Sequence, residues 1–299
     1  MWIGQPDDLP GWLGEVSTQT AKQLRGEVIQ QVVPKPGWSV NPSQIEHLSW
    51  NPRAWLYHNF LTDEECDHLV AMARDKLEHS TVVDNDSGQG VSSEVRTSSG
   101  MFVLRAQDAV VAGIEDKIAA WTFLPVENGE ALQILRYQHG QKYDPHHDFF
   151  SDKVNIQRGG HRIATVLMYL NTVGKGGETV FPTATPHPRQ KDGTWSECAQ
   201  KGLAVKPRKG DALLFFSLHP DASTDPSSLH GACPVEKGEK WSAPKWIHVA
   251  DFDGPKVVPG QCADLDGRCP GWAATGECTK NPGYMVGSTG HCRKSCRVC

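Results

Sequence analysis

The spacing of hydrophobic residues changes along the chain, and two stretches have helical spacing. Thr62-Asp63-Glu64-Glu65 is typical of a helix-starting capping box. The apolar residues that follow recur at helical spacing as far as Glu78. A second such stretch runs from Asp108 to Trp121. The pattern therefore predicts helices over Asp63 to Glu78 and Asp108 to Trp121, with their apolar stripes facing a core.

From Ala131 onward the apolar residues form short runs separated by Gly and Pro turns, which is typical of β-strands. The predicted strands are Leu132 to Tyr137, Ile163 to Leu170, Thr179 to Phe181, Leu203 to Val205, Ala212 to Ser217 and Lys245 to Val249. Strand-like alternation also occurs in His47 to Leu56. Many short strands with such turns favour a mainly β fold with flanking helices, either a sandwich or a jelly roll.

Three further stretches carry little periodicity. Residues 1–45 predict an N-terminal arm, with a strand or short helix around Ala21 to Val33. Between Val82 and Gly100 the chain is rich in Asp, Asn, Ser and Gly, which predicts a mobile loop. Asn85-Asp86-Ser87 in this loop is a glycosylation sequon, a triplet that is also common by chance. Residues 254–261 are predicted to form a linker.

The charge of the chain gives no reason to expect nucleic acid or an acidic membrane as partner. Lys and Arg number 30 and Asp and Glu 35, a net charge of -5. No apolar run approaches the roughly 18 residues that span a bilayer, so the chain as given is expected to be soluble. Its oligomeric state does not follow from the sequence.

Six of the nine cysteines lie between Cys262 and Cys299. So small a segment needs disulfides for stability, which predicts a disulfide-rich domain over residues 262–299. Disulfides form in oxidising compartments, so we expect the endoplasmic reticulum or the secretory pathway. No signal peptide is recognisable after Met1, and we therefore expect a targeting segment that this sequence lacks.

The candidate chemistry lies in the segment Tyr143-Asp144-Pro145-His146-His147-Asp148. In a strand, residues i and i+2 point to one face, so His146 and Asp148 can share a metal ion. Iron(II) oxygenases bind iron with two histidines and one carboxylate. His230, which follows a long apolar run, is the best second histidine. The plain alternative is a histidine in a turn that is hydrogen-bonded to a nearby carboxylate.

The segments around these three residues together form a specific set of motifs. They are Arg162 to Leu170, Gly176 to Pro182, Lys206 to Phe215, Ser228 to Gly231, Cys233 to Val235 and Gly238 to Ala243. From about His47 to Phe252 the chain resembles prolyl 4-hydroxylases of the plant, algal and collagen type. The resemblance implies a double-stranded β-helix, a form of jelly roll, in which the two helices support one sheet. It also places the catalytic domain at residues 46–253.

The resemblance also implies the reaction. His146, Asp148 and His230 would bind Fe(II), and Lys240 would bind the far carboxylate of 2-oxoglutarate with help from Tyr137 and Thr179. With dioxygen, and with ascorbate as a further cofactor, the enzyme would convert 2-oxoglutarate to succinate and CO2 and hydroxylate C4 of a peptidyl proline. The partner would be a proline-rich peptide, of cell-wall, poly-proline or collagen-like sequence, in the polyproline II conformation.

Seven residues are candidates for binding this peptide. They are Arg96, Ser98, Glu130, Tyr143, Arg162, Trp246 and His248, the first two within the motif Arg96 to Gly100. Each has a plainer structural explanation, as a core aromatic, a solvated charge or turn, or a strand histidine that is already hydrogen-bonded. Two other functions stay open: a 2-oxoglutarate oxygenase acting on another amino acid, and a secreted binding protein whose jelly roll is inactive.

The C-terminal cysteines, with Trp272-Ala273 and Asn281 to Met285, are similar to the ShKT module of sea-anemone toxins. That family implies the pairs Cys262 with Cys299, Cys269 with Cys292 and Cys278 with Cys296. The toxins carry a channel-blocking lysine where this chain has Gly283, so an accessory or substrate-docking role is expected. Outside this module, Cys198 and Cys233 either form a disulfide or remain thiols.

Overall fold

A computed structural model describes residues 38–83, 90–92, 94–152, 155–157, 159–252, 262, 264, 269–286 and 292–298. Several predictions lie outside these residues. They are the element around Ala21 to Val33, the sequon at Asn85 to Ser87, the linker at 254–261 and the pairing of Cys262 with Cys299. Among the described residues, no helix is both long and apolar enough to cross a membrane.

Strands make up most of the regular structure between residues 45 and 248. In chain order they are β1 Ile45–Trp50, β2 Arg53–Tyr57, β3 Glu78–His79, β4 Thr81–Val83, β5 Gly90–Ser92, β6 Ser99–Val103, β7 Leu132–Tyr137, β8 Tyr143–His146, β9 Arg162–Tyr169, β10 Lys175–Gly176, β11 Thr179–Phe181, β12 Leu203–Val205, β13 Ala212–Phe216, β14 His230–Ala232, β15 Val235–Lys237 and β16 Lys240–His248. The helices are α1 Asp63–Ala73 and α2 Ala109–Thr122, and in the C-terminal module α3 Cys269–Ala274, α4 Glu277–Lys280 and α5 Pro282–Met285.

Two sheets face each other. The larger has eight strands in the order β1-β2-β13-β9-β16-β7-β6-β3, and the smaller has four in the order β12-β11-β14-β8. Phe215 and Tyr169 of the large sheet pack in one apolar cluster with Phe181 and Leu203 of the small sheet. The packing of two antiparallel sheets confirms the predicted jelly roll. Two short pairs, β10 with β15 and β4 with β5, complete the described strands.

The helices cover the other face of the large sheet. Alternate residues of β9, namely Ala164, Val166 and Met168, pack in a cluster with Leu69 of α1 and Trp121 of α2. The intervening positions of β9 face the small sheet instead, because side chains alternate across a strand. The prediction that two helices support one sheet is therefore confirmed. The thiol of Cys66 on α1 is buried and free, and burial raises its pKa to about 11.

Helix α1 begins at the predicted capping box, because Thr62 and Glu65 each accept the other's backbone N–H. It ends at Ala73, however, and not at Glu78 as predicted. Lys76 N–H donates to Ala73 O in a tight turn, and Glu78 then pairs with Gly100 in the large sheet. The core contact of Leu77 belongs to this turn, which is why the helical spacing of apolar residues extends beyond the helix.

Other boundaries also differ from the prediction. The stretch His47 to Leu56 forms two paired strands joined by a turn at Asn51-Pro52. Strand β16 begins at Lys240 and not at Lys245. Lys240 and Ser242 are polar, yet they are buried next to β7 and β9. Part of the predicted loop from Val82 to Gly100 lies in β4, β5 and β6.

The core extends further toward the N-terminus than the predicted start of the catalytic domain at residue 46. The indole of Trp38 lies 5.9 Å from the ring of Phe60 and 6.3 Å from that of Tyr57. Val40 and Ile45 also pack against the main core. The last residues of the predicted arm, 38–45, therefore pack with the catalytic domain.

The C-terminal module has its own small core, formed by Cys269, Met285 and Cys292. Disulfides join Cys269 to Cys292 and Cys278 to Cys296, as the resemblance implied. Short helices and disulfides thus hold together a segment that lacks an extended apolar core.

Candidate active site

The three predicted metal ligands converge because strands β8 and β14 pair with His146 directly opposite His230. Asp148 follows β8 and is buried beside both histidines. Its carboxylate oxygens lie 3.7 Å from Nε2 of His146 and 3.7 Å from Nε2 of His230. One ligand atom from each residue lies within 4.8 Å of the others, a spacing that suits a shared metal ion.

The hydrogen bonds of the two imidazoles leave their Nε2 atoms free to bind a metal. His146 Nδ1 lies 2.9 Å from Asp144 O, and His230 Nδ1 lies 2.9 Å from Ser228 O. A carbonyl oxygen only accepts, so each Nδ1 carries the proton and each Nε2 a lone pair. Burial and the nearby His230 lower the pKa of His146 to about 3, so its ring is neutral.

The third ligand, Asp148, is oriented by Thr165 of β9. The Thr165 hydroxyl donates to Asp148 Oδ2 at 2.6 Å. Burial alone would raise the pKa of Asp148, but His230 and His146 outweigh it and lower this pKa to about 2. Two imidazole Nε2 atoms and one ionised carboxylate around a common point fit Fe(II), with room left for further ligands.

An inner cavity of about 50 Å³ leads from these ligands between the sheets to Lys240. The Lys240 ammonium is buried, 5.4 Å from the ring centre of Tyr137 and 5.7 Å from that of Tyr169. Burial lowers its pKa to about 7, against an opposing effect of Glu178. Tyr169 donates its hydroxyl to Thr179 Oγ1 at 2.9 Å, and Thr179 lines the cavity. The inner cavity therefore ends in a buried cation without an ion-pair partner among the described residues.

An outer cavity of about 510 Å³ opens on the other side of the ligands. His146 and Asp148 line both cavities, as do Arg96, Tyr143 and Trp246. The two cavities thus meet at the metal ligands. This arrangement can hold a small molecule on one side of a metal ion and present a larger one to its other side.

One wall of the outer cavity contains a buried charge cluster. Arg162 donates to Glu130 Oε1, and His248 Nε2 lies 2.9 Å from the same oxygen. The Arg162 guanidinium lies 4.2 Å from the ring centre of Trp246 and 4.8 Å from that of Phe150. Burial would raise the pKa of Glu130, but Arg162 and His248 lower it to about 2, so the carboxylate is charged.

Another part of the cavity wall contains a stack of three side chains. The rings of Tyr143 and His146 lie 3.6 Å apart and nearly parallel. The Arg96 guanidinium covers Tyr143 at 4.9 Å from its ring centre. Arg96 is itself held by Gln133 Oε1 at 2.8 Å and by Thr81 O at 3.0 Å. The stack connects the outer cavity directly to a metal ligand.

Nearly all predicted site residues line a cavity, but two do not. Ser98 is fully buried, and its hydroxyl donates to Ser80 Oγ at 3.0 Å. His248 lies behind Glu130, with Nδ1 2.9 Å from Gly160 O. A substrate contact by either residue stays a prediction.

Four residues of the site were not predicted from the sequence: Thr165, Tyr169, Gln133 and Phe150. The alternation along β9 could have indicated Thr165 and Tyr169, because they occupy the positions that face away from the helices. The contacts of Gln133 and Phe150 depend on distant parts of the chain, and no local pattern indicates them.

A disulfide holds the end of the strand that carries His230. Cys233 follows β14 and is bonded to Cys198, so these two cysteines are not free thiols. Glu178, beside β11, accepts hydrogen bonds from Ser196 N at 3.0 Å and Ser196 Oγ at 2.8 Å. The segment between β11 and β12 is thereby fixed against the small sheet.

Two histidines and a carboxylate inside a jelly roll are typical of non-haem iron oxygenases. The sequence model of the 2OG-Fe(II) oxygenase superfamily matches residues 132–248, and that of the ShK-like domain matches residues 261–299. Probable prolyl 4-hydroxylase 7 of Arabidopsis thaliana is 56% identical over 94% of this chain and 90% of its own length. Prolyl 4-hydroxylase 2 of the same plant is 57% identical over 90% of this chain and 92% of its own.

A solved structure is also similar, that of viral collagen prolyl hydroxylase vCPH from Paramecium bursaria Chlorella virus-1 in complex with 2OG. It is 26% identical, with a TM-score of 0.49, over 66% of this chain and 96% of its own. The identities to the plant relatives over nearly the whole chain decide the assignment. The chain belongs to the prolyl 4-hydroxylases of the 2OG-Fe(II) oxygenase superfamily, and it carries a C-terminal ShK-like domain.

Proposed function

We propose that this protein is a prolyl 4-hydroxylase that uses Fe(II), 2-oxoglutarate and dioxygen to hydroxylate C4 of peptidyl proline. The observation that carries the proposal is that two cavities meet at His146 and Asp148. The inner cavity ends in a buried cation and suits a small dicarboxylate. The outer cavity, about ten times larger, suits a peptide.

His146, Asp148 and His230 bind Fe(II) in this proposal. Bound iron and 2-oxoglutarate supply the oxidising chemistry, in which 2-oxoglutarate yields succinate and CO2 and one oxygen atom of dioxygen reaches the proline. Thr165 keeps the Asp148 carboxylate in position by its hydrogen bond. The buried cavity walls keep water away from the reacting atoms, so the protein mainly positions reactants and needs no nucleophile of its own.

Lys240 binds the far carboxylate of 2-oxoglutarate. An ammonium buried between the rings of Tyr137 and Tyr169 has lost most of its hydration, so an incoming carboxylate gains a strong charge-assisted hydrogen bond. Thr179 and Tyr137 line the same cavity and supply hydroxyl groups to the cosubstrate. Tyr169 orients the Thr179 hydroxyl through their mutual hydrogen bond.

The peptide lies in the outer cavity as a polyproline II helix, which is already ordered before binding and loses little entropy. Tyr143 and Trp246 both line the inner and outer cavities where the target proline must sit. Arg162 and Glu130 fix the Trp246 side of the cavity, while Arg96 fixes Tyr143. We favour proline-rich or poly-proline sequences over collagen-like ones, a preference that rests on the resemblance alone.

Ascorbate, the disulfides and the ShK-like domain each have a role in the proposed function. Ascorbate keeps the iron reduced between turnovers. The disulfide Cys198–Cys233 and the two in the C-terminal module support work in the endoplasmic reticulum or secretory pathway, where disulfides persist. The ShK-like domain serves as an accessory or substrate-docking module.

The test is to incubate the protein with Fe(II), ascorbate and 2-oxoglutarate and with either a poly-proline or a Pro-Pro-Gly repeat peptide. Mass spectrometry should find peptide that has gained one oxygen atom per modified residue, with a preference for poly-proline. The His146→Ala variant should form none. Succinate formed without peptide hydroxylation would indicate another target residue, and no succinate under any condition would indicate a non-catalytic binding protein.

A further inference from the structure

Phe102 is an apolar side chain on the wall of the outer cavity that the proposed reaction does not yet use. Its side chain is 58% exposed, although removing a phenyl ring from water lowers the free energy. Two other large apolar side chains are comparably exposed, Leu104 at 71% and Phe123 at 59%, but neither lines a described cavity. Phe102 therefore combines exposure with a position where a ligand can cover it.

The strand that carries Phe102 fixes the direction of its side chain. On β6, Met101 and Val103 pack into the main core, so Phe102 points to the opposite face. Its partner across the β6–β7 pair is Gln133, which lines the same cavity and holds Arg96. Phe102 does not line the inner cavity. It therefore lies beside the proposed peptide path, in a part of the outer cavity that the inner cavity does not share.

The two carboxylates of the outer cavity that lie outside the metal site already have cationic partners. Among the described residues that line it, Glu130 is paired with Arg162 and Asp144 with Lys142. Arg96 is hydrogen-bonded to Gln133 and to Thr81 O and covers the ring of Tyr143. The exposed ring of Phe102, in contrast, is an apolar surface of this wall that an uncharged proline can cover.

We propose that Phe102 is a specificity-determining residue that packs against a second proline of the substrate, outside the hydroxylated position. The inference rests on the proposed prolyl hydroxylation. In a polyproline II helix, residues three apart share a face, so a ring on the cavity wall meets a proline at a fixed offset from the target. Aromatic side chains are the usual partners of such helices, because the flat ring packs well on the pyrrolidine. This contact would favour proline-dense substrates over peptides with one isolated proline.

The experiment measures coupling between Phe102 and single positions of the peptide. A proline-rich peptide is chosen in which the unmodified protein hydroxylates one proline identified by tandem mass spectrometry. Each flanking proline is then replaced in turn by alanine. For the unmodified protein, one replacement should raise the peptide KM by about three- to tenfold, the size of one aromatic contact.

In Phe102→Ala the KM for the unaltered peptide should be raised by the same factor. The proline-to-alanine replacement that raises the KM of the wild-type protein should then have no further effect. The kcat of Phe102→Ala and its KM for 2-oxoglutarate should stay unchanged, which excludes general misfolding. Phe102→Tyr, which keeps the ring, should behave like the unmodified protein. Phe123→Ala is the matched control, since it removes an equally exposed ring outside the cavity, and it should keep the sensitivity to the replacement.

Two results would overturn the inference. If Phe102→Ala keeps the same sensitivity to every replacement, the ring does not contact a second proline, while the proposed hydroxylation stands. If the unmodified protein hydroxylates no proline peptide, the proposed function fails and this inference fails with it.

Discussion

Thr165 donates its hydroxyl to Oδ2 of Asp148 at 2.6 Å and thereby holds the one carboxylate among the three metal ligands. Thr165 is 2% exposed and Asp148 is 4% exposed, so water cannot replace this hydrogen bond easily. A carboxylate that is held in one rotamer presents the same oxygen to a metal ion at every encounter. The metal site thus depends on a β9 residue that is not itself a ligand.

Replacing Thr165 by Val should weaken metal binding by about 10- to 100-fold, as the loss of such supporting hydrogen bonds typically does. Valine has nearly the shape of threonine but no hydroxyl, so the core should stay packed. Titration with Ni(II), followed by calorimetry, measures the effect without turnover. Thr165→Ser, which keeps the hydroxyl, should bind metal nearly as well as the unmodified protein, and equal affinities for all three proteins would refute the role of this bond.

The buried Lys240 predicts a pH dependence of 2-oxoglutarate binding. Its pKa is lowered to about 7 by burial, with Glu178 as the opposing charge and the rings of Tyr137 and Tyr169 around it. A bound carboxylate favours the ammonium and raises that pKa. Above pH 7 the free protein must take up a proton to bind, so the KM for 2-oxoglutarate should rise by up to about tenfold per pH unit.

The control for this prediction is Lys240→Arg, because a guanidinium stays charged throughout the accessible pH range. Its KM for 2-oxoglutarate should be higher at pH 7 but should not rise between pH 7 and 9. Steady-state kinetics over that range measures both profiles. Parallel profiles for the two proteins would show that Lys240 is not the titrating group.

Glu130 should affect peptide binding more than cosubstrate binding. Glu130→Gln leaves the buried Arg162 guanidinium without its carboxylate and releases it from its position over Trp246. We expect the peptide KM to rise at least about tenfold, while the KM for 2-oxoglutarate stays unchanged. Asp144→Asn is the matched control in the same cavity, since its partner Lys142 is well exposed and such pairs contribute little. Equal peptide KM values for the two variants would contradict the role of Glu130.

The disulfide Cys198–Cys233 should stabilise the catalytic domain. It closes a loop of sequence separation 35 beside the strand that carries His230. Replacing both cysteines by Ala should lower the free energy of unfolding by about 2–4 kcal/mol, measured by urea denaturation. Replacing Cys269 and Cys292 instead should leave the main transition in place, because that pair lies in the C-terminal module. A main transition that is unchanged without Cys198–Cys233 would refute the prediction.

The sequence was most informative where the chemistry is local. The spacing of His146 and Asp148 predicted that both contribute to one site, although Asp148 lies in a bend after β8 and not in the strand itself. The motif around His230 identified the second histidine. Strands β8 and β14 pair so that the two histidines lie opposite each other. This pairing joins residues far apart in the sequence, so no local pattern could predict it. The early start of β16 was missed for a related reason: Lys240 and Ser242 are polar, yet the sheet buries them to form the inner cavity.

The motif from Arg96 to Gly100 shows the same limit. The resemblance identified Arg96 and Ser98 as a pair of substrate residues, but the structure puts only Arg96 on a cavity wall. Ser98 is buried and donates its hydroxyl to Ser80 Oγ instead. A shared motif selects important residues without distinguishing contact with substrate from support of the fold.

Prolyl 4-hydroxylation is tested most directly by running the peptide reaction under isotopically labelled dioxygen and analysing both products. The peptide should contain 4-hydroxyproline whose hydroxyl oxygen carries the label, and succinate should carry the other labelled atom in equal amount. Hydroxyproline whose oxygen comes from water, or labelled succinate without any hydroxyproline, would contradict the claim that this protein is a 2-oxoglutarate-dependent prolyl 4-hydroxylase.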